Sequence, residues 1–119
     1  NTVEAHDIVG EVEGRTCVLI DDMIDTAGTL CAAAELLVDK GAADIVAAAT
    51  HGLLSGPAIE RIEKSVISKV VITNTLPLPA GKQIDKIEVL SIAGVLAETI
   101  DAVFEDKSVS EIFGGANQN

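Results

Sequence analysis

The sequence predicts an α/β fold in which helices cover both faces of a mostly parallel sheet, as a three-layer sandwich. Short, nearly continuous runs of apolar and β-branched residues recur along the chain, as expected of strands that are covered on both faces. Helical patterns alternate with these runs. The chain has 119 residues, of which 48% are hydrophobic, and this suffices for one core. We therefore expect residues 1–119 to form a single domain.

Each element of this fold is indicated by a local pattern. The predicted strands are 16–20, 44–50, 69–73 and 87–92. Apolar residues at helical spacing over 30–38 predict a helix that ends at Gly41. A shorter helix is expected to begin at Pro57, because proline suits a first helical turn, and a third to cover 91–104. The alternation of apolar and polar residues in HDIVGEVEGRT (6–16) predicts a strand or hairpin at the sheet edge.

The charge of the chain limits its partners. There are 19 acidic and 8 basic residues, which gives a net charge of −11 and disfavours nucleic acid and anionic membranes as partners. The sequence has no apolar stretch of the ~20 residues that span a bilayer, and no charged leader before a hydrophobic segment. Cys17 and Cys31 fit small buried hydrophobes of a reducing compartment, although a disulfide remains possible from sequence. We expect a soluble, cytoplasmic protein.

The segment VLIDDMIDTAGTL (18–30) has the features of an anion site. In parallel α/β sheets, ligands bind beyond the carboxyl ends of the strands, where this segment is expected. Its TAGT (26–29) leads into a helix, whose free N–H groups and positive dipole end can hold a phosphate. Gly28 lets the backbone approach a ligand closely or take a positive φ. No basic residue occurs between Arg15 and Lys40, so amides and threonine hydroxyls would have to hold the anion.

Asp21 and Asp22 suggest what the rest of the ligand is. Carboxylates at a strand end can accept hydrogen bonds from sugar hydroxyls, or can orient Mg2+ and its waters. A phosphorylated sugar would satisfy both the acids and the anion site. A simpler interpretation is that Asp25, Thr26 and Thr29 are ordinary helix N-caps. Two adjacent acids after a buried strand would be costly unless they were paired, which capping alone does not explain. The dinucleotide and P-loop glycine motifs are absent from the sequence.

VLIDDMIDTAGT resembles the ribose-phosphate-binding loop of the ribose-phosphate pyrophosphokinase (PRPP synthetase) family, which has the type I phosphoribosyltransferase fold. Similar stretches elsewhere are VEAHDIVGEVEGR before the loop, ATHGLLSGPAIERI (49–62), VVITNTLP (70–77) and SVSEIF (108–113). The resemblance covers essentially the whole chain and corresponds to the C-terminal domain of a two-domain synthetase. Because the chain opens on Asn1 rather than Met, we expect a piece of a longer protein. The resemblance implies that the N-terminal half and a flexible catalytic loop with its Lys and Arg are missing from this piece.

The resemblance also implies an activity, the transfer of pyrophosphate from MgATP to the anomeric hydroxyl of ribose 5-phosphate. Asp21 and Asp22 would contact the ribose hydroxyls. The implied cradle for the 5-phosphate consists of Asp25, Thr26, Ala27, Gly28 and Thr29. This domain would supply substrate binding, with no catalytic residue and no main Mg2+ ligand, so the piece alone is expected to be inactive. His51 is expected to have a structural hydrogen-bonding role, since the family gives it no catalytic part.

The segment SVSEIF has two interpretations. By propensity it is a short terminal helix capped by Ser108. By resemblance it helps to form a regulatory nucleotide site at a subunit interface, for phosphate or ADP, in a hexamer. The candidate residues are Ser108, Val109, Ser110 and Phe113. Phe104, the other aromatic residue, ends a helical pattern and is expected in the core.

Three classes of function agree with these observations. The first is the C-terminal portion of a PRPP synthetase. The second is another phosphoribosyltransferase-fold enzyme that consumes PRPP, although the matches in THGLLSGPAI and SVSEIF argue against it. The third is a non-catalytic, synthetase-associated protein that keeps the fold to sense a ligand. A Lys and Arg loop encoded upstream of Asn1 would favour the first class over the third.

Overall fold

A computed structural model describes residues 10–105, which form one four-stranded sheet in the order β1-β2-β3-β4 with every neighbouring pair parallel. The strands are β1 (Thr16–Ile24), β2 (Asp44–Gly52), β3 (Lys69–Thr73) and β4 (Ile87–Leu90). The helices are α1 (Gly28–Asp39), α2 (Ala58–Lys64) and α3 (Ala93–Phe104), with a 3-10 turn at Ala80–Lys82. The predicted α/β fold, with helices flanking a parallel sheet, is confirmed.

One face of the sheet carries the core. The largest fully buried side chains are Ile45, Leu54, Ile62, Ile67, Val70 and Ile72. The helix α1 adds Ala34, which is fully buried, and packs Leu30 and Leu37 against this cluster. The helix α2 adds Ala58 in the same way. Because these helices pack on the strands through one cluster, they hold the carboxyl ends of β1 and β2 in place.

The other face of β1 is open in the described part of the chain. Val18 is 57% exposed and Ile20 is 81% exposed, so the expectation that this strand is covered on both faces is wrong. Alternate side chains of a strand point to opposite faces, and β1 is an edge strand. The helix α3 buries Ala102, whereas Phe104 is 85% exposed rather than in the core. Among the described residues, the exposed side chains of Val18, Ile20 and Phe104 thus depart from the predicted burial.

Residues 10–15 do not form the predicted edge strand. They make a turn that lies against the end of α1, where the Gly14 amide donates to the Gly41 carbonyl at 2.8 Å. The Ala43 amide donates to the Arg15 carbonyl, also at 2.8 Å. Gly14 has a φ of 70°, which bends the chain away from an extended path. The strand prediction for 6–16 is therefore wrong over 10–15, and residues 6–9 lie outside the described range.

Lys86 forms hydrogen bonds with backbone carbonyls at the C-terminal end of α2. Its Nζ donates to the carbonyls of Ile62, Glu63 and Ser65 at 3.1, 3.0 and 3.0 Å. We expect Lys86→Met to lower the free energy of unfolding by about 1–2 kcal/mol, because a cation there satisfies carbonyls and opposes the helix dipole. Lys82→Met should change it by less than about 0.5 kcal/mol, since the Lys82 amine forms no hydrogen bond or ion pair with residues 10–105. Equal urea midpoints for the two variants would contradict this role.

Candidate functional site

The candidate site lies where β1 runs into α1, at the carboxyl edge of the sheet. The strand extends past the predicted end at Ile20 to Ile24, which pairs with Gly52 of β2. Asp21 and Asp22 are therefore strand residues near this edge. Both are exposed, and none of the described polar residues is buried, so the predicted desolvation penalty for the two acids does not arise.

The backbone of the loop leaves the start of α1 uncapped. Ala27 occupies the N-cap position with a left-handed φ of 64°, and no side chain caps the helix. The interpretation of Asp25, Thr26 and Thr29 as ordinary N-caps is therefore wrong. The positive φ that was expected as an option for Gly28 occurs at Ala27 instead. Since first-turn N–H groups have no acceptor within a helix, those of Gly28 and Thr29 are available to a ligand.

A cavity of about 270 Å³ opens beside this loop. The residues that line it are Asp21, Met23, Ile24, Asp25, Thr26, Ala27, Gly28, Thr29 and Leu30. Every predicted substrate-binding residue except Asp22 is thus brought to one cavity. Small-molecule pockets commonly measure roughly 300–1,000 Å³, so this cavity suits a small ligand. Its lining combines helix-start amides and hydroxyls with carboxylates.

The two strand-end acids are linked by a hydrogen bond. The Asp22 amide donates to Asp21 Oδ1 at 2.8 Å. A side-chain hydrogen bond with Asp21, followed by one from the backbone of Met23, lowers the pKa of Asp22 below its ordinary value. A smaller contribution comes from the charge of His51 on β2. Asp22 is therefore ionised at neutral pH and can accept hydrogen bonds from hydroxyl groups.

His51 has a structural partner in the adjacent segment. Its Nδ1 lies 2.7 Å from Thr75 Oγ1, and that hydroxyl also donates to the Thr50 carbonyl at 3.3 Å. This arrangement ties the end of β2 to the residues that follow β3. It agrees with the structural role predicted for His51.

The two cysteines are free thiols that pack against the core. Cys17 and Cys31 are half-buried, as expected of small apolar residues, and they form no disulfide. Burial raises the pKa of the Cys31 thiol. A raised pKa lowers the thiolate fraction at neutral pH, which makes Cys31 a poor nucleophile.

Sequence reasoning missed Arg61, which contacts the loop from α2. Its Nη1 donates to the Thr26 carbonyl at 3.1 Å across 35 residues of sequence. The expectation that amides and hydroxyls alone would hold the anion was based only on residues close to the loop along the chain. No local pattern in the sequence marks a contact of this range.

Several predictions concern parts that the structure does not test. Ser108, Val109, Ser110 and Phe113 lie outside the described residues, so the regulatory site stays a prediction. Within 10–105, no three His, Cys, Asp or Glu side chains come together in a way that could hold a metal ion. In the same range, every helix is too short or too polar to cross a membrane.

The fold and the loop place the chain among α/β proteins that present an uncapped helix start at the carboxyl edge of a parallel sheet. It belongs to the phosphoribosyl synthetase-associated domain family, whose model matches residues 4–114. The chain is 54% identical over 113 residues to a ribose-phosphate pyrophosphokinase of Streptomyces avermitilis, a match that covers 95% of the chain and 35% of the relative. It is 56% identical to the enzyme of that name from Caldanaerobacter subterraneus, over 95% of the chain and 36% of the relative.

A solved structure agrees with these relatives. The fold is similar to the crystal structure of phosphoribosylpyrophosphate synthetase from Mycobacterium smegmatis, with a TM-score of 0.78 and 52% sequence identity. The match covers 82% of this chain and 33% of that chain. The chain therefore spans about a third of the length of the relatives that it matches.

Proposed function

We propose that the chain is the C-terminal domain of a ribose-phosphate pyrophosphokinase, with the type I phosphoribosyltransferase fold, and that it binds ribose 5-phosphate. The cavity at the start of α1 carries this proposal. Its lining combines the amides and hydroxyls of residues 26–29 with the carboxylate of Asp21. A phosphate suits the amides and sugar hydroxyls suit the carboxylate, so one sugar phosphate matches both of these groups.

The reaction proposed for the whole protein transfers pyrophosphate from MgATP to ribose 5-phosphate and gives PRPP and AMP. Attack by the anomeric oxygen on the β-phosphorus depends on alignment and on neutralised charge. This domain would contribute alignment, with Asp21 and Asp22 on the ribose hydroxyls and residues 25–29 around the 5-phosphate. Asp25 would not be a general base. Its carbonyl accepts from the Ser55 amide at 2.9 Å, and this bond braces the loop through the backbone.

Mg2+ is the cofactor that this activity requires. Mg2+ usually keeps several waters and takes one or two carboxylates together with substrate phosphates. The adjacent carboxylates of Asp21 and Asp22 fit such a partial role, whereas residues 10–105 offer no third ligand to complete a site of their own. When bound, Mg2+ would neutralise charge on the phosphates. The remaining cations and the ATP contacts would come from the rest of the synthetase.

The proposal extends to regulation and assembly. Ser108, Val109, Ser110 and Phe113 would contribute to a nucleotide site that responds to phosphate or ADP. This site would lie between subunits of a homo-oligomer, a hexamer by resemblance to the family. The protein would act in the cytoplasm. The regulatory site rests on the resemblance of SVSEIF to the family, and the hexamer rests on the resemblance of the chain as a whole.

The activity can be tested with the 119-residue chain and with the longer protein that contains it. With ATP, Mg2+ and ribose 5-phosphate, the longer protein should form PRPP and AMP, because it would bring together the groups that transfer requires. The isolated chain should form none and still bind ribose 5-phosphate. If the longer protein bound ribose 5-phosphate and made no PRPP, the ligand-sensing regulatory function would replace the enzymatic one. Turnover by the rigorously purified chain would show that catalytic groups lie within it.

A further inference from the structure

The carbonyls of the candidate loop are held by the segment that joins β2 to α2. The Ile24 carbonyl accepts from the Leu53 amide, and the Asp25 carbonyl accepts from the Ser55 amide, both at 2.9 Å. All described peptide bonds are trans. In a trans peptide the N–H points opposite to the C=O of the same unit. Carbonyls tied on one side of the loop therefore direct the following N–H groups toward the other side.

Arg61 forms a hydrogen bond with the next carbonyl along the loop, that of Thr26. Its Nη1 holds the Thr26 carbonyl at 3.1 Å, so the Ala27 N–H is turned the opposite way. Arg61 can do this because α2 is anchored by the buried side chains of Ala58 and Ile62. Arg61 is not among the residues that line the cavity, whereas Thr26 and Ala27 are. The guanidinium thus contacts the loop outside the cavity.

Gly28 leaves room for this guanidinium. A Cβ built on Gly28 would lie 3.0 Å from Arg61 Nη1 and 3.7 Å from its Cζ. The first distance is tighter than an ordinary van der Waals contact, so a side chain at position 28 would require the exposed guanidinium to shift by a few tenths of an ångström. The backbone of Gly28 does not have a positive φ. Arg61 is therefore the group that a side chain at position 28 would meet most closely.

We propose that Arg61 is a positioning residue of the ribose-phosphate loop, and that it orients the Thr26–Ala27 peptide so that the Ala27 N–H faces the bound phosphate. This inference rests on the proposed function. The inference adds to the proposed site a residue on α2 that acts through the loop. It also gives a role to Gly28, whose lack of a side chain leaves space for the Arg61 guanidinium. The effect is local, since it depends on one hydrogen bond and one close approach.

The test is a double-mutant cycle on the 119-residue chain, with the Kd of ribose 5-phosphate measured by calorimetry. Arg61→Met is expected to raise the Kd about fivefold to tenfold, which is less than for loss of a direct charge-assisted hydrogen bond, because Arg61 acts on the phosphate only through the loop. Gly28→Ala should raise the Kd by a smaller factor in the parent, about twofold to threefold, and leave it nearly unchanged in the Arg61→Met background, because the close contact is then gone. Arg61→Lys should recover part of the affinity. Lys64→Met, which removes the same charge one turn along α2, is the matched control and should leave the Kd unchanged.

A second measurement separates positioning from general stability. In amide NMR, the shift of the Ala27 N–H caused by ribose 5-phosphate should shrink in Arg61→Met and persist in Lys64→Met, while the urea midpoints of the two variants agree. The proposal is overturned if Arg61→Met binds as tightly as Lys64→Met, or if Gly28→Ala has the same effect in both backgrounds. If the parent chain does not bind ribose 5-phosphate at all, the proposed function has failed and this inference fails with it.

Discussion

Asp21→Ala is expected to weaken the binding of ribose 5-phosphate about 10- to 100-fold. The carboxylate lines the cavity at the end of β1 and is the group that would accept hydrogen bonds from the ribose. Loss of a hydrogen bond to a charged group corresponds to about 1.5–3 kcal/mol, which sets this range. Inorganic phosphate should bind as well as before or slightly better, because the variant removes a negative charge near the proposed phosphate site. Calorimetric titration of the two ligands at constant salt would measure both effects.

Asp39→Ala is the matched control for this variant. It removes the same charge at the far end of α1, where Asp39 is exposed. Its affinity for ribose 5-phosphate should equal that of the parent. If Asp21→Ala and Asp39→Ala bound the sugar phosphate equally well, Asp21 would have no part in recognising the sugar.

Gly52→Ala is expected to cause a large loss of stability. A Cβ on Gly52 would lie 2.6 Å from Ile72 Cδ1 and 3.2 Å from its Cγ2. Ile72 is 1% exposed and has little room to move, so the free energy of unfolding should fall by an amount near the upper end of about 1–3 kcal/mol. Urea denaturation followed by circular dichroism would measure the change.

Two further variants test whether the contact with Ile72 is the cause. Gly94→Ala places a methyl group in α3, where a Cβ would meet nothing within 4 Å, and should stabilise the protein by up to about 1 kcal/mol. Ile72→Val removes Cδ1, so Gly52→Ala should be less harmful in that background than in the parent. Additive effects of the Gly52 and Ile72 changes would exclude the steric explanation.

The sequence was most informative where local pattern and fold agree. The four strands and three helices were predicted in order, because buried β-branched runs and helical periodicity are local signals. β1 continues beyond Ile20 through two acids, which propensity alone disfavours, because Ile24 still pairs with Gly52. The exposure of Val18 and Ile20 could not be predicted, since apolar composition does not reveal that a strand is at an edge.

The candidate site was predictable in its residues but not in its construction. A run such as TAGT signals a helix start, and its residues do line the cavity. The sequence did not reveal that Ala27 rather than Gly28 takes the left-handed conformation, or that no side chain caps α1. Arg61 was missed because its contact with Thr26 depends on how α2 packs, and packing is not a property of either segment alone.

The most direct test of the proposed ribose 5-phosphate site is a titration of the isotope-labelled 119-residue chain with ribose 5-phosphate, followed by amide NMR. We predict shifts confined to residues 21–30, largest at the amides of Ala27, Gly28 and Thr29, where the phosphate would bind. Inorganic phosphate should reproduce the shifts at 26–30 and leave Asp21 and Asp22 nearly unmoved, because it carries no sugar. Shifts centred elsewhere, for example on the cavity of about 410 Å³ lined by Glu63 and residues 83–86, or no shifts at millimolar ligand, would contradict the proposal that this loop binds the sugar phosphate.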